Sequence, residues 1–223
     1  MNDRLDPSEF LTAGLIEGLS NEAYHAGPAI SCSGLQLIGK SPAHYFGLKM
    51  DPNRPAPTEK SGQLEGTLAH TAILEPGEFD KRYVVGPEGR RGTKAWDAFE
   101  ATLKPGQIGI KADQRSVAFA QAASVRSLPD VAALLARGRP EVSAYWVDEK
   151  TGELCRCRPD WEHPVNDESV ILLDVKTYSD ASPREFSRQV ARKGYHVQDA
   201  FYSDGVKAVT GTLPRFVFIA VEP

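Results

Sequence analysis

The chain changes rhythm near residue 140. Apolar positions recur with a helical period before it and with an extended one after it. Residues 1–29 are mostly polar, and 1–23 read as a lead-in to a single domain over 24–223. Ser31 and Ser33 stand ahead of Leu35, Leu37 and Ile38, so either serine can cap a short helix reaching Gly39 or Lys40. Ser41-Pro42 opens a second short helix through His44, Tyr45, Phe46 and Leu48. Residues 51–60 hold three prolines and no periodicity, which predicts a loop. From Leu64 to Leu74 the apolar spacing predicts a helix with one buried face, stopped by Pro76 and Gly77. After a basic, glycine-rich loop over 86–94, helices are predicted over 94–103, 113–126 and 129–137.

The second half alternates. Val142–Val147 and Glu153–Arg158 predict two strands joined by a turn at 148–152. Residues 164–168 read as a loop. Val170–Val175 is nearly continuous apolar, as a buried central strand is. Ser182-Pro183 opens a long helix to about Lys207 with an irregularity near Gly194, and Phe216–Val221 is a last strand. The order predicts an α/β fold, a mixed sheet flanked by helices with extra helices at the N-terminus.

Composition narrows this picture. The chain has 223 residues, of which 41% are hydrophobic and 25% charged, a globular balance. No apolar run is long enough to span a membrane, and the acidic start lacks the apolar region of a signal peptide, so the expected location is the cytoplasm. The three cysteines, Cys32, Cys155 and Cys157, cannot supply four thiolates to a structural zinc or iron–sulfur site and read as free thiols. A net charge of −4 argues against a protein that coats DNA through bulk charge, but not against one that grips it in a local channel.

Candidate chemistry gathers at strand ends. Asp174 and Lys176 are two apart near the end of ILLDVK, so in an extended chain they project from one face about 7 Å apart. Asp160 follows the hairpin and can reach the same point if the strands are neighbours. Two carboxylates at one point repel unless a cation lies between them. Mg²⁺ suits oxygen ligands, and a lysine beside it can orient water or stabilise charge on a phosphate. Taken alone, D-x-K also describes a strand end meeting solvent.

More of the chain carries a resemblance. The segments SCSGLQLIGKSPAHYF, GQLEGTLAHTAILEPGEF, CRCRPDW, ILLDVKT and DASPREFSRQVARKGYHVQDAFYSDG resemble, in that order, the nuclease domain of RecE-type exonucleases (exodeoxyribonuclease VIII). These are a branch of the PD-(D/E)XK nuclease superfamily. The resemblance spans roughly residues 24 to 221. It implies a restriction-endonuclease-like core and a metal site of His70, Asp160, Asp174 and the backbone carbonyl of Val175, with Lys176 as the catalytic lysine. It adds Gln198 and Tyr202 on the following helix, one helical turn apart, with Tyr195 joining them. Glu141 either supports the ligands or touches a second metal. Mg²⁺ is the implied ion, with Mn²⁺ able to substitute. The implied reaction is hydrolysis of linear double-stranded DNA from its ends, 5′ to 3′, exposing single strands for recombination, as in phage systems. A homo-oligomer and a single-strand annealing protein as partner are implied as well. RecE-like domains continue past their last strand, so the resemblance also implies a chain shortened at Pro223.

Several residues keep a second reading. His70 also fits a buried histidine satisfied by backbone, and Tyr195 and Tyr202 fit core contacts. Arg90, Arg91 and Lys94 in the glycine-rich loop can hold a DNA phosphate or simply be solvated. Arg156 and Arg158 alternate on one strand face, near the phosphate path or paired across the hairpin. Arg184, Arg188 and Arg192, four apart, form a stripe that faces DNA or another subunit. Two other functions stay open: an endonuclease or single-strand nuclease of the same superfamily, and a catalytically silent DNA-binding module.

Overall fold

The computed structural model describes residues 14–54, 62–166 and 169–223. Within the expected lead-in, strand β1 (Gly14–Ile16) and helix α1 (Asn21–Ala26) form, the latter capped by Ser20, whose Oγ accepts from the Ala23 N–H at 3.1 Å. Residues 1–13 of that lead-in, 55–61 of the proline-rich loop and 167–168 of the predicted loop lie outside the described residues. Helix α2 (Cys32–Lys40) starts at Ser31, not Ser33: the Gly34 N–H reaches Ser31 Oγ at 3.2 Å. Ser41 caps α3 (Pro42–Tyr45), which runs into a π-helical turn over Phe46–Met50.

Helix α4 (Gln63–Leu74) ends as predicted, but Pro76 does more than stop it. It is the first residue of α5 (Pro76–Arg82), where a missing N–H costs nothing. Strand β2 (Tyr83–Val85), α6 (Lys94–Glu100), β3 (Ile108–Ile110), α7 (Ala112–Arg126) and α8 (Pro129–Ala136) follow. The second half holds β4 (Arg139–Pro140), β5 (Ser143–Val147), β6 (Leu154–Cys157), β7 (Trp161–Asn166), β8 (Ser169–Thr177), α9 (Pro183–Lys193), α10 (Tyr195–Thr210) and β9 (Arg215–Val221). Among the described residues no helix is long and apolar enough to cross a membrane.

Among the described residues, the strands of this mixed α/β fold make three sheets: β1-β5-β6, the parallel pair β2-β3, and β4-β7-β8-β9. The predicted hairpin β5–β6 therefore does not border β8. Its neighbour is β7, a strand the sequence pattern missed. Pro164 sits inside β7 beside a register irregularity between Pro164 and Asn166, and a proline there argues against a strand.

The chain forms two compact units. The first comprises Met1–Thr58, Arg137–Asp174 and Pro183–Phe218. Its core joins Ala144, Trp146, Cys155, Cys157, Leu172 and Val206. Gly205 of α10 is what lets the helix approach: a Cβ there would overlap the Trp146 ring. All three cysteines are buried and outside any disulfide, and burial pushes the Cys155 thiol up to about 11.

The second unit comprises Glu59–Ala136, Val175–Ser182 and Ile219–Pro223. Helix α4 is expected to bury one face, yet from Leu68 to Leu74 every residue except His70 is buried. A helix apolar on all sides belongs in a core. Arg126 of α7 donates to the carbonyls of Ala72 and Ile73, satisfying acceptors that the end of α4 leaves open. Phe79 stacks edge-on with Phe119 at 4.9 Å, and Trp96 with Phe99 at 5.4 Å.

Candidate active site

Strand β8 alternates its faces. Leu172 packs into the core of the first unit, and the same face continues to Asp174 and then Lys176. Asp174 is only 2% exposed. Helix α10 covers this face with its own ladder: Val206 meets the core cluster, Tyr202 packs against it one turn earlier, and Gln198 one turn earlier again donates from Nε2 to Asp174 Oδ2. The turn at Gly194 makes this possible. Its left-handed backbone (φ 69°) breaks the predicted single helix into α9 and α10, and its carbonyl accepts the Gln198 N–H at 3.1 Å.

Asp160 reaches the same place through β7. The antiparallel register sets Trp161 opposite Leu173, and Asp160 stands immediately ahead of β7, the strand that neighbours the one carrying Asp174. Both carboxylates act on the Tyr202 phenol. Burial, then the fields of Tyr24, Asp174, Cys157 and Asp160, hold it well above the usual phenol range, so it stays a hydrogen-bond donor. The Asp160 backbone is fixed in turn: its carbonyl accepts the Glu141 N–H at 3.1 Å. Glu141 has φ 53°, the only positive value at a non-glycine among the described residues. Such backbone strain tends to persist where the surroundings enforce it, often at functional sites. The Glu141 carboxylate lies 3.7 Å from the Arg158 guanidinium.

In the second unit, Val175 is buried and Lys176 half-buried. Gly66 of α4 faces Thr177, where a Cβ would stand 3.3 Å from Oγ1. His70 is one helical turn beyond Gly66 on the same face of α4 and keeps partial solvent exposure. No group of three or more His, Cys, Asp or Glu side chains that could hold a metal ion occurs among the described residues. Two aspartates whose charges both act on Tyr202 nevertheless suit Mg²⁺, which keeps several waters and needs only one or two carboxylates from the protein.

Other predicted residues are placed differently. Arg156 and Arg158 are buried, at 6% and 7% exposure, instead of lining a phosphate path. Arg156 donates to the carbonyls of Tyr24 and His25, and Arg158 to Ser143 Oγ at 2.8 Å and the Leu19 carbonyl at 3.0 Å. Both guanidiniums lie over the Tyr24 ring, at 4.8 and 4.0 Å. Apart from Ser143 and Glu141, their partners lie between Leu19 and His25, so they hold α1 to the sheet. Tyr195 stacks on Phe218 at 5.3 Å and contacts Phe186, which makes it a packing residue between α9, α10 and β9. Arg91 bonds the Gly109 carbonyl at 2.7 Å and covers Trp96, so it closes its own loop, while Arg90 and Lys94 stand exposed.

In the first unit, then, Asp174 of β8 is clamped by Gln198 of α10, and Asp160 immediately precedes the neighbouring strand β7. The fold recurs in known structures. A solved structure from Eubacterium rectale, described as a "putative exonuclease", superposes with a TM-score of 0.60 at 17% identity, over 91% of this chain and 70% of that one. No curated protein matches the chain. Residues 31–223 match the model of a PDDEXK-like domain of unknown function (DUF3799). With that match running from the cap of α2 through Asp160, Asp174 and Lys176 to the last residue, the chain belongs to the PDDEXK-like family DUF3799.

Proposed function

We propose that this protein is a divalent-metal-dependent exodeoxyribonuclease of the RecE type. It degrades linear double-stranded DNA from its ends, 5′ to 3′, to expose single strands for recombination. The observation that carries the reading is that Asp160 and Asp174 both lie close enough to Tyr202 for their charges to act on its phenol, with Lys176 two positions beyond Asp174 on the same strand face. Family membership supports it, since PD-(D/E)XK nucleases generally use divalent metal ions.

In this reading Asp160 and Asp174 hold Mg²⁺ or Mn²⁺, joined, as the RecE resemblance implies, by His70 and the Val175 carbonyl. The bound ion supplies Lewis-acid polarisation of the phosphodiester and lowers the pKa of a bound water. Lys176 would orient the attacking water or stabilise the charge that builds on the phosphate. Gln198 fixes the rotamer of Asp174, and Glu141 holds the backbone of Asp160. Tyr202 remains protonated and donates a hydrogen bond beside the carboxylates. The protein works as a cytoplasmic homo-oligomer with a single-strand annealing protein as partner.

The test is digestion of linear and covalently closed circular duplex DNA in Mg²⁺, with strands labelled at the 5′ or the 3′ end. The reading expects loss of linear duplex only, beginning with the 5′ label. Cutting of closed circles would replace it with an endonuclease. No cutting of either substrate in Mg²⁺ or Mn²⁺ would replace it with a silent DNA-binding module.

A further inference from the structure

Helix α9 carries more positive charge than the chain's balance suggests. Its eleven residues hold Arg184, Arg188, Arg192 and Lys193 against a single acid, Glu185, in a protein whose net charge is −4. All four basic residues are exposed. The opposite face is committed to packing: Phe186 contacts Tyr195 at 6.1 Å and Phe218 at 6.2 Å, and Val190 lies one turn on, half-buried. Residues 188 and 192 follow 186 and 190 by two positions, a turn of about 200°, so the arginine stripe points away from the core.

The stripe is tied at both ends. Pro183 starts the helix. At its other end the Lys193 carbonyl accepts from Gln36 Nε2 at 3.1 Å, which anchors it to α2. Within the stripe, Arg188 pairs with Glu185 at 3.3 Å, an exposed contact worth little. The three arginines are spaced about 6 Å apart along the axis and span about 12 Å. That is the axial length of roughly three to four nucleotides of one strand at about 3.4 Å each.

We propose that the exposed face of α9, through Arg184, Arg188 and Arg192, binds the phosphate backbone of the duplex on which the enzyme acts. A row of fixed, always-charged side chains at this spacing suits consecutive phosphates and carries no base specificity. It also explains how an acidic protein grips DNA: the contact is local, and repulsion elsewhere keeps it from coating the polymer. The proposal rests on the nuclease reading above.

The experiment measures binding of a fluorescein-labelled linear 30-base-pair duplex to the full chain across a salt series. Ca²⁺ replaces Mg²⁺, and a gel checks that the strands stay intact. The triple variant R184A/R188A/R192A keeps helix propensity, since alanine is the best helix former. It is expected to bind about tenfold or more weakly, with the slope of log K against log salt reduced by about 2 to 3. The variant R184K/R188K/R192K, which keeps the charges, is expected to retain most of the affinity. An alanine variant with unchanged affinity and slope overturns the proposal, as does one whose only change is in oligomeric mass, which would make the stripe a subunit contact. If the wild-type chain cuts linear duplex while the slope stays unchanged, only this inference fails. If the wild type neither binds nor cuts duplex, the nuclease reading fails with it.

Discussion

The first unit buries charge in two places, and it does so in opposite ways. At β6 and α1, Arg156 and Arg158 lie among carbonyls, a serine hydroxyl and the face of Tyr24. Each positive charge meets neutral dipoles and a π-face aimed at it, and Arg158 also meets the Glu141 carboxylate. Where β7 and β8 meet, Asp174 is buried beneath the amide of Gln198, and both it and Asp160 act on the Tyr202 phenol. The arginine cluster is matched mostly by neutral groups of the chain itself, although among the described residues Arg156 Nε has no hydrogen-bond partner. The aspartate pair sets like charges together, an arrangement that improves when a cation or a proton joins it. A buried charge with its counter-dipoles built in serves the fold, whereas like charges brought together serve a ligand. Glu141 touches both places: its N–H holds Asp160, and its carboxylate faces Arg158.

This contrast is sharpest when activity and stability are measured on the same variants. Asp174→Asn and Lys176→Ala are expected to lower the rate of linear-duplex degradation in Mg²⁺ by about a hundredfold or more, the scale for removing one essential electrostatic group. The thermal midpoint of Asp174→Asn should stay level or rise, because a like-charge contact is lost. Full activity in either variant would remove these residues from the chemistry. A large drop in the midpoint with activity per folded molecule intact would move Asp174 to the side of the arginines.

The arginine cluster should give the mirror result. Arg156→Ala leaves the Tyr24 and His25 carbonyls without their donor and removes the cation over the Tyr24 ring. A loss of about 2–3 kcal/mol in urea unfolding follows from unmet buried acceptors and lost packing. Degradation by the folded fraction should change by less than about threefold, below the scale of lost catalytic groups. An Arg156→Ala protein that is fully stable yet inactive would return this arginine to the DNA path expected from its alternation with Arg158.

Both clusters were only partly legible in the sequence, and the reason is contact order. Local signals sufficed for the cap at Ser41 and for β8 from its apolar run, and they narrowed the α2 cap to Ser31 or Ser33, while Gln198 and Tyr202 came from the family resemblance. The Asp174–Lys176 pair needed only the two-residue period of a strand. What failed depended on distant or hidden partners. Arg156 is held by a carbonyl 132 residues away, which no spacing rule reveals. Strand β7 was obscured by Pro164, so the neighbour that delivers Asp160 was missing from the prediction. Nothing about a glutamate signals the positive φ of Glu141. The break at Gly194 was visible as an irregularity, but not that it divides the basic stripe of α9 from the Gln198 face of α10.

A metal titration tests the carboxylate side at smaller amplitude. Mg²⁺ in the millimolar range should raise the thermal midpoint of the wild type, since a ligand that binds only the folded state stabilises it. At a hundredfold excess over Kd the gain is about 2.7 kcal/mol, and it should vanish in Asp174→Asn. EDTA should abolish degradation and excess Mg²⁺ restore it. An equal Mg²⁺ shift in wild type and Asp174→Asn would place the ion elsewhere.

The smallest effect is expected from acid, and it belongs to the arginine side. The His25 ring keeps contact with solvent, yet partial burial, and then the positive charges of Arg156, Arg158 and Lys49, hold its pKa below the ordinary 6.5. A base whose folded pKa is depressed binds protons more readily when unfolded. Its contribution to stability is therefore complete above the unfolded pKa and is lost as pH falls below about 6.5 toward the folded value. His25→Gln should reduce the drop in thermal midpoint between pH 7.5 and pH 5.5 relative to wild type. Arg156→Ala should reduce it too, because one of the repelling charges is gone. An unchanged acid sensitivity in both variants would mean that the cluster does not repel a proton at His25. The arginines would then be better matched by their surroundings than their place among neutral dipoles implies.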